Sequence, residues 1–221
     1  MLVQPAMLNQ MTFDLGPPPL PEGTHRYIPH FLTLEEHDDL FATCAGLPFV
    51  RHKMFIDGVF VGHRRFSVMM FTELIGAARG FPEDIVSLKD APPAILHLAA
   101  KLTDYAKKPI NYLSVMRYED GRDGIDWHQH AEDKVPPGKD MSVYIVSTGV
   151  ERDLAIREGT TIGRTFVPKE GGEITRIRAE QGSLIVLPSE YNNTHGHAVP
   201  KSQVKMGVRY AVNAKHVPRE V

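Results

Sequence analysis

From Ile110 onward the chain is a succession of short runs cut apart by Gly, Pro and Asp turns: NYLSVMRY, IDWHQHAE, SVYIVST, DLAIRE, GGEITRIRA, GSLIVLP and VKMGVRYAVNAK. Their length and even spacing are those of strands, and a series of this kind predicts a barrel or sandwich. Ahead of it the pattern is helical. Thr33 followed by Glu36 makes a capping-box signature, Leu34, His37, Leu40 and Phe41 then fall at helical spacing, and Gly46-Leu47-Pro48 marks the stop. PPAILHLAAKLTDYAKK reads as a second amphipathic helix opened by proline. Between the helices, HKMFIDGVFVGHRRFS reads as a hairpin turning at Asp57-Gly58. Two helices before an all-β block predict an α+β fold with helices packed on a β core. Residues 1–22, with their GPPPLPEG stretch, form an irregular arm, and 23–221 a single domain.

Composition excludes several classes. The single cysteine, Cys44, rules out an internal disulfide and fits a reducing compartment. The longest apolar runs are strand-length, and the N-terminus lacks a basic segment ahead of an apolar one, so no membrane span or signal peptide is expected and the protein is read as cytoplasmic. A net charge of −2 removes the basic balance typical of nucleic-acid binders. A local patch remains in the hairpin, where Lys53, Arg64 and Arg65 lie near Phe55, Phe60 and Phe66. It reads equally as a nucleic-acid surface or as a solvated hairpin with its aromatics turned inward.

The chemistry concentrates in the β-rich half. His128, His130 and Glu132 fall at every second position, so on one strand they share a face. A second H-x-H pair, His195 and His197, follows in NNTHGHAVPKS. Neutral imidazole is a common metal ligand, and two groups from one strand plus one from another make a facial triad with open positions. Near the C-terminus Arg209 offers a planar fork suited to a carboxylate, or else is a surface arginine.

RYEDGRDGIDWHQHAED, GSLIVLP, THGHAVPK and GVRYAVNAK, in this order and spacing, resemble the AlkB family of Fe(II)- and 2-oxoglutarate-dependent dioxygenases. The likeness runs from about Tyr27 to Val217. It implies a double-stranded β-helix (jelly-roll) core over 110–217, with helices and a substrate lid over 23–109. It implies Fe(II), 2-oxoglutarate and O2, and as activity the hydroxylation and release of N-methyl groups on alkylated nucleic-acid bases. His128 and His197 match the family's ligand histidines. Tyr118 and Arg209 match residues holding the distal carboxylate of 2-oxoglutarate, and Lys215 stands where a second arginine faces its keto-acid end. Glu132 matches an acidic substrate-side position, and the hairpin with Phe55, Arg64 and Arg65 falls where the family carries its nucleotide lid.

The chain departs from that pattern at four places, one of them the absence of Thr-Phe-Arg after the closing asparagine. His130 stands where the family has its carboxylate ligand, Met116 where it has an asparagine, and Lys215 where it has the late arginine. Three readings follow: a metal site of His128, His130 and His197; a slipped H-x-E triad of His130, Glu132 and a distal histidine; or a scaffold without iron. The first ranks ahead because the slip adds two residues between Tyr118 and the first ligand. His195 is then a group orienting a ligand or a spare. The alternatives are a cupin-like metalloprotein, or an oxygenase acting on a protein or small molecule without nucleic acid; the cupin-like reading parts from the oxygenase one on whether Tyr118 and Arg209 converge on the metal cavity.

Overall fold

A computed structural model describes residues 24–50, 53–56, 59–62, 66–72, 85–130, 142–163 and 165–217. The expected arm over 1–22 and the Asp57-Gly58 turn lie outside the described residues.

Both expected helices form where their signals stand. In α1 (Leu34–Ala45) the Thr33 hydroxyl accepts from the Glu36 amide at 3.2 Å, and the Glu36 carboxylate accepts from the Thr33 amide at 2.7 Å. Two of the amides that every helix start leaves unpaired are thereby satisfied. His37, Leu40 and Cys44 form its buried stripe, whereas Leu34, expected on that stripe, is 76% exposed. As the first helical residue it precedes the turn that meets the core. α2 (Pro93–Ala106) buries Ile95, Leu98, Ala99 and Leu102 and ends at Lys107 in the left-handed conformation.

Glu36 also joins the two helices, accepting from His97 and Lys101 on α2. Burial alone would raise its pKa, but the hydrogen bonds from Lys101, His97 and Thr33 outweigh that and hold it at about 2, against an ordinary 4.5. A carboxyl whose folded-state pKa is depressed stabilises the fold above its unfolded value and loses that contribution as pH falls through the folded one. Glu36→Gln is therefore expected to cost about 1 kcal/mol near neutral pH, after allowance for solvent screening. The deficit should shrink between pH 4.5 and about 2, as denaturant melts across that range would read.

The strands in chain order are β1 (Arg26–Ile28), β2 (Lys53–Ile56), β3 (Val59–Gly62), β4 (Phe66–Phe71), β5 (Ile85–Ser87), β6 (Tyr112–Tyr118) and β7 (Ile125–His128). They continue with β8 (Val143–Gly149), β9 (Arg152–Ile162), β10 (Thr165–Pro168), β11 (Ile174–Ala179) and β12 (Leu184–Leu187). A short helix, α3 (Ser189–Thr194), precedes β13 (His195–Val199) and β14 (Arg209–Lys215). A seven-stranded sheet runs β1-β12-β8-β14-β6-β4-β5, and a smaller one runs β10-β9-β13-β7 with β11 also paired to β9. β2 and β3 pair as the expected hairpin, Phe55 opposite Phe60. The large sheet draws β1, β4 and β5 from before residue 110, so the β core is wider than the 110–217 expected from the sequence.

The large sheet is covered on both faces, which explains the unbroken apolar runs of β8 and β12. On β14, Tyr210, Val212 and Ala214 pack toward the helices with Leu40, Ile95 and Leu98. Arg209, Ala211, Asn213 and Lys215 have the opposite parity, and Ala211 packs with Ile156 and Leu154 of the small sheet. Among the described residues no helix is long and apolar enough to cross a membrane.

Candidate metal and co-substrate site

The site lies between the sheets, and a β-bulge sets its first ligand. His128 of β7 sits directly opposite His197 of β13, whereas Ile125 sits opposite Val199, so β7 carries one residue more than its partner over this stretch. The extra residue reverses the alternation. Ile125 packs in the core and His128 lines the cavity, although they are three apart. Trp127 points away and stacks on Phe166, with ring centroids 6.0 Å apart.

β7 ends at His128, so His130 lies beyond the strand rather than on it, a difference from the sequence expectation. It still reaches the same place, because Gln129 anchors the segment. The Gln129 amide donates to the Gly159, Asn192 and Asn193 carbonyls and accepts from Thr161 at 2.8 Å. Gln129 thereby holds the chain between the two histidines.

The ligand atoms of His128, His130 and His197 all lie within 4.8 Å of one another. Nδ1 of His128 is 2.9 Å from the Asp126 carbonyl, which can only accept, so its proton is fixed there and Nε2 keeps its lone pair. The buried Nδ1 of His197 has no hydrogen-bond partner among the described residues. Burial, then the neighbouring His128, His130 and Lys215, hold the His197 pKa well below 6.5, so the ring is neutral, the form a metal needs. These donors suit a borderline divalent ion such as Fe(II).

Arg209 and Tyr118 line the same cavity, which is the test that separates the oxygenase reading from the cupin-like one. They face each other in register across β14 and β6, with the guanidinium carbon 5.1 Å from the phenol ring. Arg209 is 2% exposed and donates from Nη2 to Ser147 at 3.0 Å. Its Nε and Nη1 are buried with no partner among the described residues. Burial lowers its pKa, Tyr118 opposes that shift and Arg152 adds to it. A buried guanidinium with unspent donors is a ready carboxylate site. Lys215, one pleat repeat past Asn213 on the same face of β14, is 2% exposed and lies 2.9 Å from Nδ1 of His130.

Two supports were not visible in the sequence reading. Ser147 is a lone polar residue on the inward face of an apolar strand, a signal that strand alternation offers. Arg152 donates to the carbonyls of Asp120, Gly121, Asp123 and Pro200 and lies 5.9 Å from the Tyr118 ring. It fixes the loop entering β7. Arg152→Met should strand these carbonyls and cost about 1–3 kcal/mol in a chemical denaturation measurement.

Among the described residues His195 engages Tyr191 and Thr194 rather than a ligand histidine. It stacks on Tyr191 at 3.9 Å, and its Nδ1 meets Thr194 and the Tyr191 carbonyl. Glu132, Arg64 and Arg65 lie outside the described residues. So does the side chain of Phe55, whose backbone lies in β2.

The family model described as "2OG-Fe(II) oxygenase superfamily" matches residues 24–213. Over 108 residues, 49% of the chain, it is 27% identical to "DNA oxidative demethylase ALKBH2" of Mus musculus and 25% identical to that of Homo sapiens. The match spans 44% and 40% of those proteins, less than half of either. Among solved structures, the fold resembles a prolyl hydroxylase from Trichoplax adhaerens (13% identity, TM-score 0.56, 88% of this chain and 83% of that one). It also resembles a 2OG-Fe(II) oxygenase family oxidoreductase from Burkholderia pseudomallei (14%, TM-score 0.54, 88% and 87%) and a Pseudomonas putida prolyl-4-hydroxylase (12%, TM-score 0.52, 89% and 93%). With the match over 24–213 and a cavity that gathers three histidines and a buried arginine, the chain belongs to the 2OG-Fe(II) oxygenase superfamily, whose metal is Fe(II) and whose co-substrate is 2-oxoglutarate.

Proposed function

We propose that this enzyme removes N-methyl groups from alkylated bases in nucleic acid. The observation that carries the oxygenase half is Arg209: a buried guanidinium with two unspent nitrogens in the cavity of the three histidines has the chemistry to hold a dicarboxylate by its far end. A cupin-like metal site would leave those donors idle. In this reading His128 and His197 hold the ion and His130 completes the set, while Arg209 and Tyr118 seat the co-substrate. Bound there, Fe(II) supplies oxidation of a C–H bond coupled to decarboxylation of 2-oxoglutarate. The protein's own part is to orient the co-substrate and to exclude water with the apolar walls, Ile145, Leu154 and Val199.

The substrate half rests on the similarity to the two DNA demethylases and on the hairpin of β2 and β3. There Phe55, Arg64 and Arg65 would hold a base and its phosphates, and Glu132 would meet the substrate near the metal. Base access requires extrusion from a duplex or a single strand, and aromatic stacking then stabilises the exposed base. The test is incubation with N-methylated single-stranded and duplex oligonucleotides, Fe(II) and 2-oxoglutarate, followed by mass spectrometry of the base and assay of formaldehyde. Loss of the methyl mass with stoichiometric formaldehyde is expected. Turnover of 2-oxoglutarate with every oligonucleotide left intact would sink the substrate assignment and leave the oxygenase standing.

A further inference from the structure

Two side chains, His130 at the cavity and Lys215 beside it, present a mismatch in hydrogen-bond chemistry. The Lys215 ammonium lies 2.9 Å from Nδ1 of His130. An ammonium carries hydrogens and no lone pair, so Nδ1 must accept. A neutral imidazole has one N–H and one lone pair; with the lone pair on Nδ1 committed to Lys215, the proton sits on Nε2. Neither nitrogen of His130 then has a lone pair for a metal. His128 differs, because the Asp126 carbonyl fixes its proton on Nδ1 and so places the lone pair on Nε2. The two histidines of the H-x-H pair are therefore prepared oppositely.

We propose that Lys215 and the metal ion exclude each other at His130: Lys215 latches the third ligand, the ion is held first by His128 and His197, and His130 joins only when Lys215 swings away. The inference rests on the metal-centre reading above. It follows from residues peculiar to this chain, a histidine at 130 with a lysine at 215, since a carboxylate at 130 would accept from a cation and still keep lone pairs for the ion. The neighbours leave Lys215 somewhere to go. Its ammonium lies 5.8 Å from the Tyr112 ring, and Asn213 on the same strand face lines the cavity.

The test is a thermodynamic cycle on Co(II) binding, with Co(II) standing in for iron, read by calorimetry and by the visible absorption of the bound ion. Wild type, Lys215→Met, His130→Ala and the double variant are compared without co-substrate, each first checked for a cooperative thermal transition. Lys215→Met is expected to tighten Co(II) binding about ten-fold or more, the loss of one charge-assisted hydrogen bond. Its absorption should change toward a higher nitrogen count. In the His130→Ala background the same lysine substitution should change affinity by less than about three-fold. Lys215→Gln, whose amide oxygen can accept from Nδ1–H, should bind Co(II) at least as tightly as Lys215→Met and serves if methionine packs badly.

An equal gain in both backgrounds would mean that Lys215 acts only as a nearby positive charge, and the latch is wrong. No gain in the wild-type background is equally fatal to it. If none of the proteins binds Co(II), the metal centre itself falls, a result separable from failure of the latch alone.

Discussion

Arg209→Met is expected to weaken 2-oxoglutarate binding by about 10²–10³-fold, the cost of leaving a carboxylate unpaired in a closed site. The native guanidinium is 2% exposed and spends Nη2 on Ser147, leaving Nε and Nη1 to the cavity. The methionine keeps most of the volume but offers the co-substrate no donor. The fold should survive, because the substitution removes a buried charge whose desolvation already lowers its pKa. Arg209→Lys should fall between, since an ammonium keeps the charge and loses the two parallel bonds. Calorimetry with 2-oxoglutarate and Mn(II) reads the difference directly. Unchanged affinity in Arg209→Met would place the co-substrate elsewhere.

The second large effect is expected at the ligands, and it should be unequal among them. His128→Ala and His197→Ala are each expected to reduce metal affinity by at least about 10²-fold, more than the effect of losing a group that merely supports a ligand. The Asp126 carbonyl fixes the His128 proton on Nδ1, and His197 is buried and neutral. His130→Ala should cost the apo-protein's first metal-binding step much less, because Lys215 already occupies that ring. Metal content after dialysis, by elemental analysis of the three variants, gives the ranking. Equal losses at all three positions would show a symmetric three-histidine centre.

The local elements were legible because their signals are local. Thr33 and Glu36 define the start of α1 through bonds within one turn, and Pro93 at the start of α2 needs nothing from the rest of the chain. Most strands after Ile110 were legible for the same reason. β1, β4, β5, β10 and β13 were not separately visible, since a short strand is stabilised by its neighbours more than by its own residues.

The site's details depended on long-range pairing. Simple alternation put His128, His130 and Glu132 on one strand face, but β7 ends at His128 and bulges before it. Pairing with β13 decides that bulge, and no count along the chain reveals it. His195 shows the same limit: its H-x-H spacing matched the first pair, yet Tyr191 and Thr194 engage it.

The sequence by itself determined the helix boundaries, the β-rich half and the identity of the chemistry-bearing side chains, because propensity, capping and motif order act within a few residues. Only the tertiary structure decided which of those side chains meet and in what hydrogen-bonding state. Lys215 and His130 are 85 positions apart, and their contact exists because β14 and the end of β7 are brought to one cavity by two different sheets. Which ring nitrogen carries a proton there follows from what lies opposite it, a property of the packed molecule and of no segment alone.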